Sequence, residues 1–215
     1  LEEIRTNVNS IKPMGIEMKN LSIAAFLLGA TFTTGAAVAE GPEISGNVAI
    51  TTDYRFRGIS QSDRDPALQG GFDYAHESGF YVGTWASSID FGTSDTGSSG
   101  GSVEWDFYGG FGKDINDNMS FDVGYIYYYY PSHNWSVDLD YQEFYGSLSF
   151  YGATVGIVYS DDYFQQTEDF WYFYGDYGLP LGDIFTLDAH LGFNDADDAF
   201  GTGGSYLDWS VGVSA

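Results

Sequence analysis

The sequence predicts an all-β protein: an antiparallel up-and-down transmembrane β-barrel, preceded by a signal-peptide helix. Three observations predict it. Met18–Ala39 has the layout of a secretory signal peptide. From residue 44 on, apolar and polar residues alternate with period two in successive short runs. The connections between those runs alternate between short and long.

The leader comes first. Lys19 supplies a short positive region, Leu21–Phe32 an apolar stretch, and Ala37-Val38-Ala39 a small-x-small cleavage site. That order marks a cleavable export signal. The apolar stretch is shorter than the roughly 20 residues a spanning helix needs. Leu1–Glu17 is polar and without period, and reads as upstream sequence or an alternative N-terminus, outside the fold. The barrel domain is then 40–215, about 176 residues, which suits one domain.

Beyond Ala39 stand 28 acidic residues and four basic ones, Arg55, Arg57, Arg64 and Lys113. Such a surface repels nucleic acid and anionic headgroups. Cysteine is absent, so no disulfide framework or thiolate metal site can form. Aromatic residues make up 19% of the chain and glycines number 29. A membrane barrel places aromatics in two girdles and packs Gly and Tyr through its wall. The aromatic and β-branched content argues against disorder.

Ten strands are predicted in order: Ile44–Ser60, Pro66–His76, Gly79–Phe91, Ser102–Gly112, Met119–Tyr130, Tyr141–Phe150, Ala153–Ser160, Phe170–Tyr177, Ile184–Phe193 and Tyr206–Val213. In the first, Val48, Ile50, Tyr54 and Phe56 oppose Asn47, Thr51, Asp53, Arg55 and Arg57. In the fourth, Val103, Trp105, Phe107 and Phe111 alternate with Glu104, Asp106 and Tyr108. In the ninth, Phe185, Leu187, Ala189, Leu191 and Phe193 alternate with Thr186, Asp188 and His190. Strands of about ten residues suit a tilted crossing of the hydrocarbon layer.

The even connections are short: His76–Gly79, Lys113–Asn118, Tyr151–Gly152 and Gly178–Asp183. The odd ones after the first are longer and more polar: Gly92–Gly101, Pro131–Asp140, Asp161–Asp169 and Asn194–Ser205. Short turns on one side and long loops on the other are the topology of an outer-membrane barrel. A secreted β-sandwich, the other fold considered, has no reason to keep that rule. The last run stops in mid-strand at Val211-Gly212-Val213-Ser214-Ala215. Outer-membrane barrels usually end on a complete strand with a terminal aromatic, so a C-terminally truncated barrel is expected, with about twelve strands in the full protein.

Ser45–Tyr74, with Thr51-Thr52-Asp53-Tyr54-Arg55-Phe56-Arg57-Gly58 at its centre, is followed by Gly79-Phe80-Tyr81-Val82-Gly83-Thr84-Trp85. These segments resemble the opening of a proteobacterial family of TorF-like porins, outer-membrane proteins of unknown function. The resemblance is close over Ile44–Phe91 and rests on strand patterning beyond. It implies an outer-membrane barrel in a Gram-negative bacterium and a pore, and brings no catalytic residues.

Alternation places Asp53, Arg55, Arg57, Asp73, Glu104, Asp106, Asp122, Glu143, Asp188, His190 and Asp208 on one face, as candidates to line a pore. A turn near Asp63 would set Asp53 close to Asp73 across the first two strands, with Arg55 diagonal to both. Two roles are open to the arginines. One is a charged constriction that orders solutes. The other, favoured for a narrow barrel, is an ion-pair network that fills and stiffens the interior.

Tyr125–Tyr130 reads as an interface girdle, with a carbohydrate platform as the other candidate. Asn194-Asp195-Ala196-Asp197-Asp198 lacks the spacing of an EF-hand and reads as a solvated acidic loop. His76 falls at a turn and His133 in a loop. Asp188 and His190 share a face by alternation alone, which is thin ground for a lipid hydrolase. The expectation is a passive, cation-preferring pore for small hydrophilic solutes, with outer-membrane lipid as its partner. It would be a monomer or small homo-oligomer, without cofactor, metal or catalysis. A closed structural or adhesive barrel is the alternative, and a barrel lipid hydrolase a minor one.

Overall fold

A computed structural model describes residues 26–27, 30–31, 42–93, 97, 99–196 and 204–215. Among them ten strands form a single antiparallel sheet in which each pairs with its neighbours in sequence. They are β1 (Glu43–Thr51), β2 (Ala67–Ala75), β3 (Phe80–Ser88), β4 (Val103–Asn116), β5 (Met119–Tyr129), β6 (Tyr141–Phe150), β7 (Ala153–Ser160), β8 (Phe170–Leu181), β9 (Phe185–Asp195) and β10 (Tyr206–Ser214). The up-and-down order follows from the connections. Two residues separate β4 from β5 and β6 from β7, and three separate β8 from β9. The Tyr151-Gly152 turn has φ of 50° and 82°, the left-handed pair that matches the twist of a two-residue hairpin.

Two expectations are corrected. The sheet is open: β1 and β10 are its edges and do not pair with each other. Residues 52–66, which follow β1, approach β10 instead. A Cβ on Gly58 would lie 2.9 Å from Asp208 Cβ, and the Tyr206 hydroxyl donates to the Arg57 carbonyl at 3.2 Å. The predicted helix over the apolar leader is not formed by its described residues, which make a two-residue antiparallel ladder, Phe26–Leu27 with Ala30–Thr31. Gly29, Thr31, Thr33 and Thr34 all lower helix propensity there. The rest of Met18–Ala39 lies outside the described residues.

The two faces of the sheet differ as alternation requires. Val48 (78% exposed), Phe72 and Trp209 (72%) point outward, while Glu104 (2%) and Glu143 (1%) point to the buried face. Outward aromatics pair toward both ends. Trp105–Phe107 (5.0 Å) and Tyr159–Trp171 (4.5 Å) lie near the long connections. Phe80–Phe111 (4.9 Å) lies near the short ones.

On the buried face tyrosines lie over glycines of the neighbouring strand. The register pairs Tyr81 with Gly110, Tyr108 with Gly83, Tyr145 with Gly124 and Tyr174 with Gly156. A Cβ at any of these four glycines would overlap the facing ring. Gly156→Ala is therefore expected to lower stability by about 1–3 kcal/mol through overpacking. Gly175→Ala, whose Cβ would have 3.9 Å to its nearest neighbour, should change it by less than about 0.5 kcal/mol. Urea denaturation of both variants checks the difference.

Candidate functional site

The buried face is completed by a segment, residues 52–66, whose first nine residues the alternation pattern assigned to a strand. β1 ends at Thr51, opposite Ala67 of β2. Residues 52–66 leave the sheet and fold against its buried face. Within them Arg55–Phe56 pairs with Ile59–Ser60 around Arg57 and Gly58, which have φ of 47° and 81°. Left-handed backbone is unfavourable for arginine and free for glycine. Its retention at Arg57, the hairpin tip, marks a residue held in place by its surroundings.

The segment is fixed by its own polar groups. The Ser60 hydroxyl donates to Asp53 Oδ1 at 2.6 Å and accepts from the Arg64 amide at 2.9 Å. Arg55 Nε lies 2.7 Å from Asp53 Oδ2. The Ser62 hydroxyl accepts from the Tyr54 amide and donates to the Asp65 carbonyl. Asp53 and Asp73 are thus not neighbours across a hairpin. Asp73 stands opposite Ser45 and Gly83 and accepts from the Tyr108 hydroxyl. The predicted turn near Asp63 exists, with left-handed Asp63 and Arg64, but inside the inward segment.

Arg57 is the centre of the site, 6% exposed. Its two terminal nitrogens donate to the two oxygens of Glu143 on β6, at 2.6 and 2.9 Å. Nη1 also donates to the Tyr163 hydroxyl at 3.2 Å. The guanidinium lies 4.4 Å from the Phe56 ring centre, 4.6 Å from Tyr172 and 4.8 Å from Phe170. Burial opposes its charge, but Glu143 more than offsets that and holds the guanidinium above its ordinary range. Burial raises the Tyr54 hydroxyl, and Glu104, to which it donates at 2.9 Å, raises it further.

Aromatic packing closes the long-connection end around this pair. Tyr128 stacks on Tyr141 at 4.3 Å, and Tyr163 on Phe170 at 3.9 Å. Phe164 meets Tyr130 edge-on at 5.7 Å. The stretch Tyr125–Tyr130 is consequently split. Ile126, Tyr128 and Tyr130 are buried in this cluster, while Tyr125, Tyr127 and Tyr129 face the other way. Only the second set has the position of a girdle.

The other candidates all lie on the buried face, and tyrosines meet most of them. Asp122 accepts from Tyr81 at 2.7 Å, and Glu143 from Tyr128 at 3.0 Å. Among the described residues one oxygen of Asp106 and one of Asp122 are buried without a hydrogen-bond partner. His190 does not pair with Asp188. Its Nδ1 lies 2.7 Å from Asp176 and its Nε2 3.0 Å from Asp208, with the Tyr172 hydroxyl 2.7 Å from Nε2. Asp188 accepts from the Ser214 hydroxyl instead. The cause is sheet register, which sets His190 directly opposite Asp176 of β8 and Ser210 of β10. In the acidic run at the end of β9, Asn194 donates to Asp208 and Asp195 accepts from Ser205. Asp197 and Asp198 lie outside the described residues.

The alternation pattern missed the tyrosines that organise the site, chiefly Tyr54, Tyr163 and Tyr172. Gly58 inside the first run was the available signal, since an interior glycine weakens a strand.

Fold and site together define an all-β protein whose antiparallel sheet is apolar on one face and acidic and tyrosine-lined on the other, with residues 52–66 packed against the second. The chain belongs to the family described as "Bacterial protein of unknown function (Gcw_chp)", which matches residues 35–215. No curated protein and no solved structure matches the chain.

Proposed function

We propose that the chain is an outer-membrane β-barrel that acts as a cation-preferring pore, with residues 52–66 as an internal plug. One observation carries this reading: the distribution of polarity is inverted. Ile44, Val48, Ile50, Leu68, Phe72, Trp209, Val211 and Val213 are exposed. Glu104, Asp106, Asp122, Glu143 and Asp208 are buried. In water that arrangement exposes far more contiguous apolar surface than a monomer tolerates. In a bilayer it is the ordinary arrangement of a barrel. The resemblance of Ile44–Phe91 to TorF-like porins and the leader at Met18–Ala39 support the same location. The excess of interior carboxylates over arginines favours cations.

A second reading rests on the packing of residues 52–66 against the buried face. The Arg57–Glu143 pair and its aromatic surround also suit a closed barrel with a structural role. Planar-bilayer recording on the refolded chain separates the two. Discrete conductance steps are expected, with a reversal potential in a salt gradient that reports cation preference. Silence from protein that still migrates as a heat-modifiable folded band would favour the structural barrel. Anion preference would overturn the role given to the carboxylates.

A further inference from the structure

We propose that His133, Asp138 and Asp140, on the connection between β5 and β6, form a binding site for a divalent first-row transition cation such as Zn2+. A nitrogen of His133 and one oxygen of each carboxylate lie within 4.8 Å of one another. They are the one such group of three among the described residues. A second observation points to a ligand. Among the described residues His133 Nδ1 is buried and has no hydrogen-bond partner. A buried imidazole nitrogen is normally satisfied by protein or water, or by a metal.

The site is built on a fixed loop. The Asn134 amide donates to the Ser99 carbonyl at 3.0 Å, and the Ser99 amide to Asn134 Oδ1 at 2.6 Å. The Ser102 amide donates to the Ser132 hydroxyl at 2.8 Å. Asp140 is held from both sides, by the Tyr130 amide at 2.8 Å and the Tyr127 hydroxyl at 3.1 Å. Asp138 accepts from the Asp140 amide at 3.1 Å. Neither carboxylate has an ion-pair partner among the described residues. Two carboxylates therefore lie beside an imidazole with no cationic side chain paired to them among the described residues.

The donor set selects the cation. One imidazole nitrogen with two carboxylate oxygens suits zinc and its first-row neighbours. Calcium and magnesium prefer oxygen alone. Tetrahedral zinc with bonds of about 2.1 Å sets its ligands about 3.4 Å apart, so the three atoms need close in by little more than an ångström. Three protein ligands leave the fourth position open. The assignment does not depend on the pore reading.

The experiment is calorimetric titration of the folded full chain with Zn2+, and with Ca2+ and Mg2+ for comparison. One saturable Zn2+ site is expected, weakened about tenfold or more by His133→Ala and by Asp138→Asn, and unchanged by His76→Ala. No saturable Zn2+ binding, equal affinity in His133→Ala, or Ca2+ binding as tight as Zn2+ would each overturn the proposal. Imidazole proton resonances of the unsubstituted chain provide a readout that needs no variant. Zn2+ should shift those of His133 and leave those of His190 in place. Shifts at His190 with none at His133 would also overturn it.

Discussion

Replacing Arg57 with methionine is expected to lower unfolding stability by about 3–5 kcal/mol, because Glu143 is left buried without its counter-charge. The pair is closed to water, with side chains 6% and 2% exposed, and the arginine makes both of its carboxylate bonds in the fork geometry that only arginine offers. Removing the cation leaves the full desolvation penalty of the carboxylate and takes one donor from the Tyr163 hydroxyl. Substituting both partners tests the cause. Arg57→Met with Glu143→Leu should recover most of the loss, because neither charge of the pair is then left without its partner. Arg55→Met removes a pair whose arginine side chain is 40% exposed, and should cost no more than about 1 kcal/mol. Urea denaturation in detergent measures all three. Equal losses for Arg55→Met and Arg57→Met would mean that the buried pair has no special weight.

Removing the inward segment should change conductance more than any single substitution. Thr51 and Ala67 are register partners, so an Asn-Gly turn can join β1 to β2 directly in place of residues 52–66. That deletion takes Arg57, Tyr54 and Phe56 out of the buried face together. Larger single-channel steps are expected, since nothing then crosses from β1 to Glu143 on β6 or to Tyr206 on β10. The shortened chain also loses two buried aromatics, each worth about 3–5 kcal/mol. Phe56→Ala, which keeps the segment and empties part of its packing, separates instability from opening. Unchanged steps from a folded deletion variant would show that the segment does not obstruct the interior.

The sheet was legible because period-two alternation is a local property. β6 and β7 begin and end where the pattern places them, and Glu104, Asp106, Asp122, Glu143 and Asp208 fall on the buried face that parity assigned. Parity gives a face and nothing more. It could not tell that Asp53, Arg55 and Arg57 leave the sheet, because Tyr54, Phe56 and their polar neighbours go on alternating after β1 has ended. The packing that draws them inward comes from Glu143, Tyr163 and Tyr172, some 86 to 115 residues away in sequence. Nor could parity pair His190 with Asp176 and Asp208. Those contacts depend on register between three strands, and the nearest acidic residue in sequence, Asp188, is satisfied elsewhere.

What the sequence alone determined, then, was the strand order, the face each side chain within the sheet takes, and the alternation of short and long connections. These need only backbone pleat and turn chemistry. What the tertiary structure decided was the state of the interior. A row of carboxylates on one face suits a lined channel and a packed core equally. At the long-connection end the packing is set by one arginine, turned inward at a left-handed hairpin tip, and by the rings that enclose its bond to Glu143. Energies of that kind belong to buried, long-range contacts, where a low dielectric magnifies both the pairing of charges and the cost of leaving one unpaired.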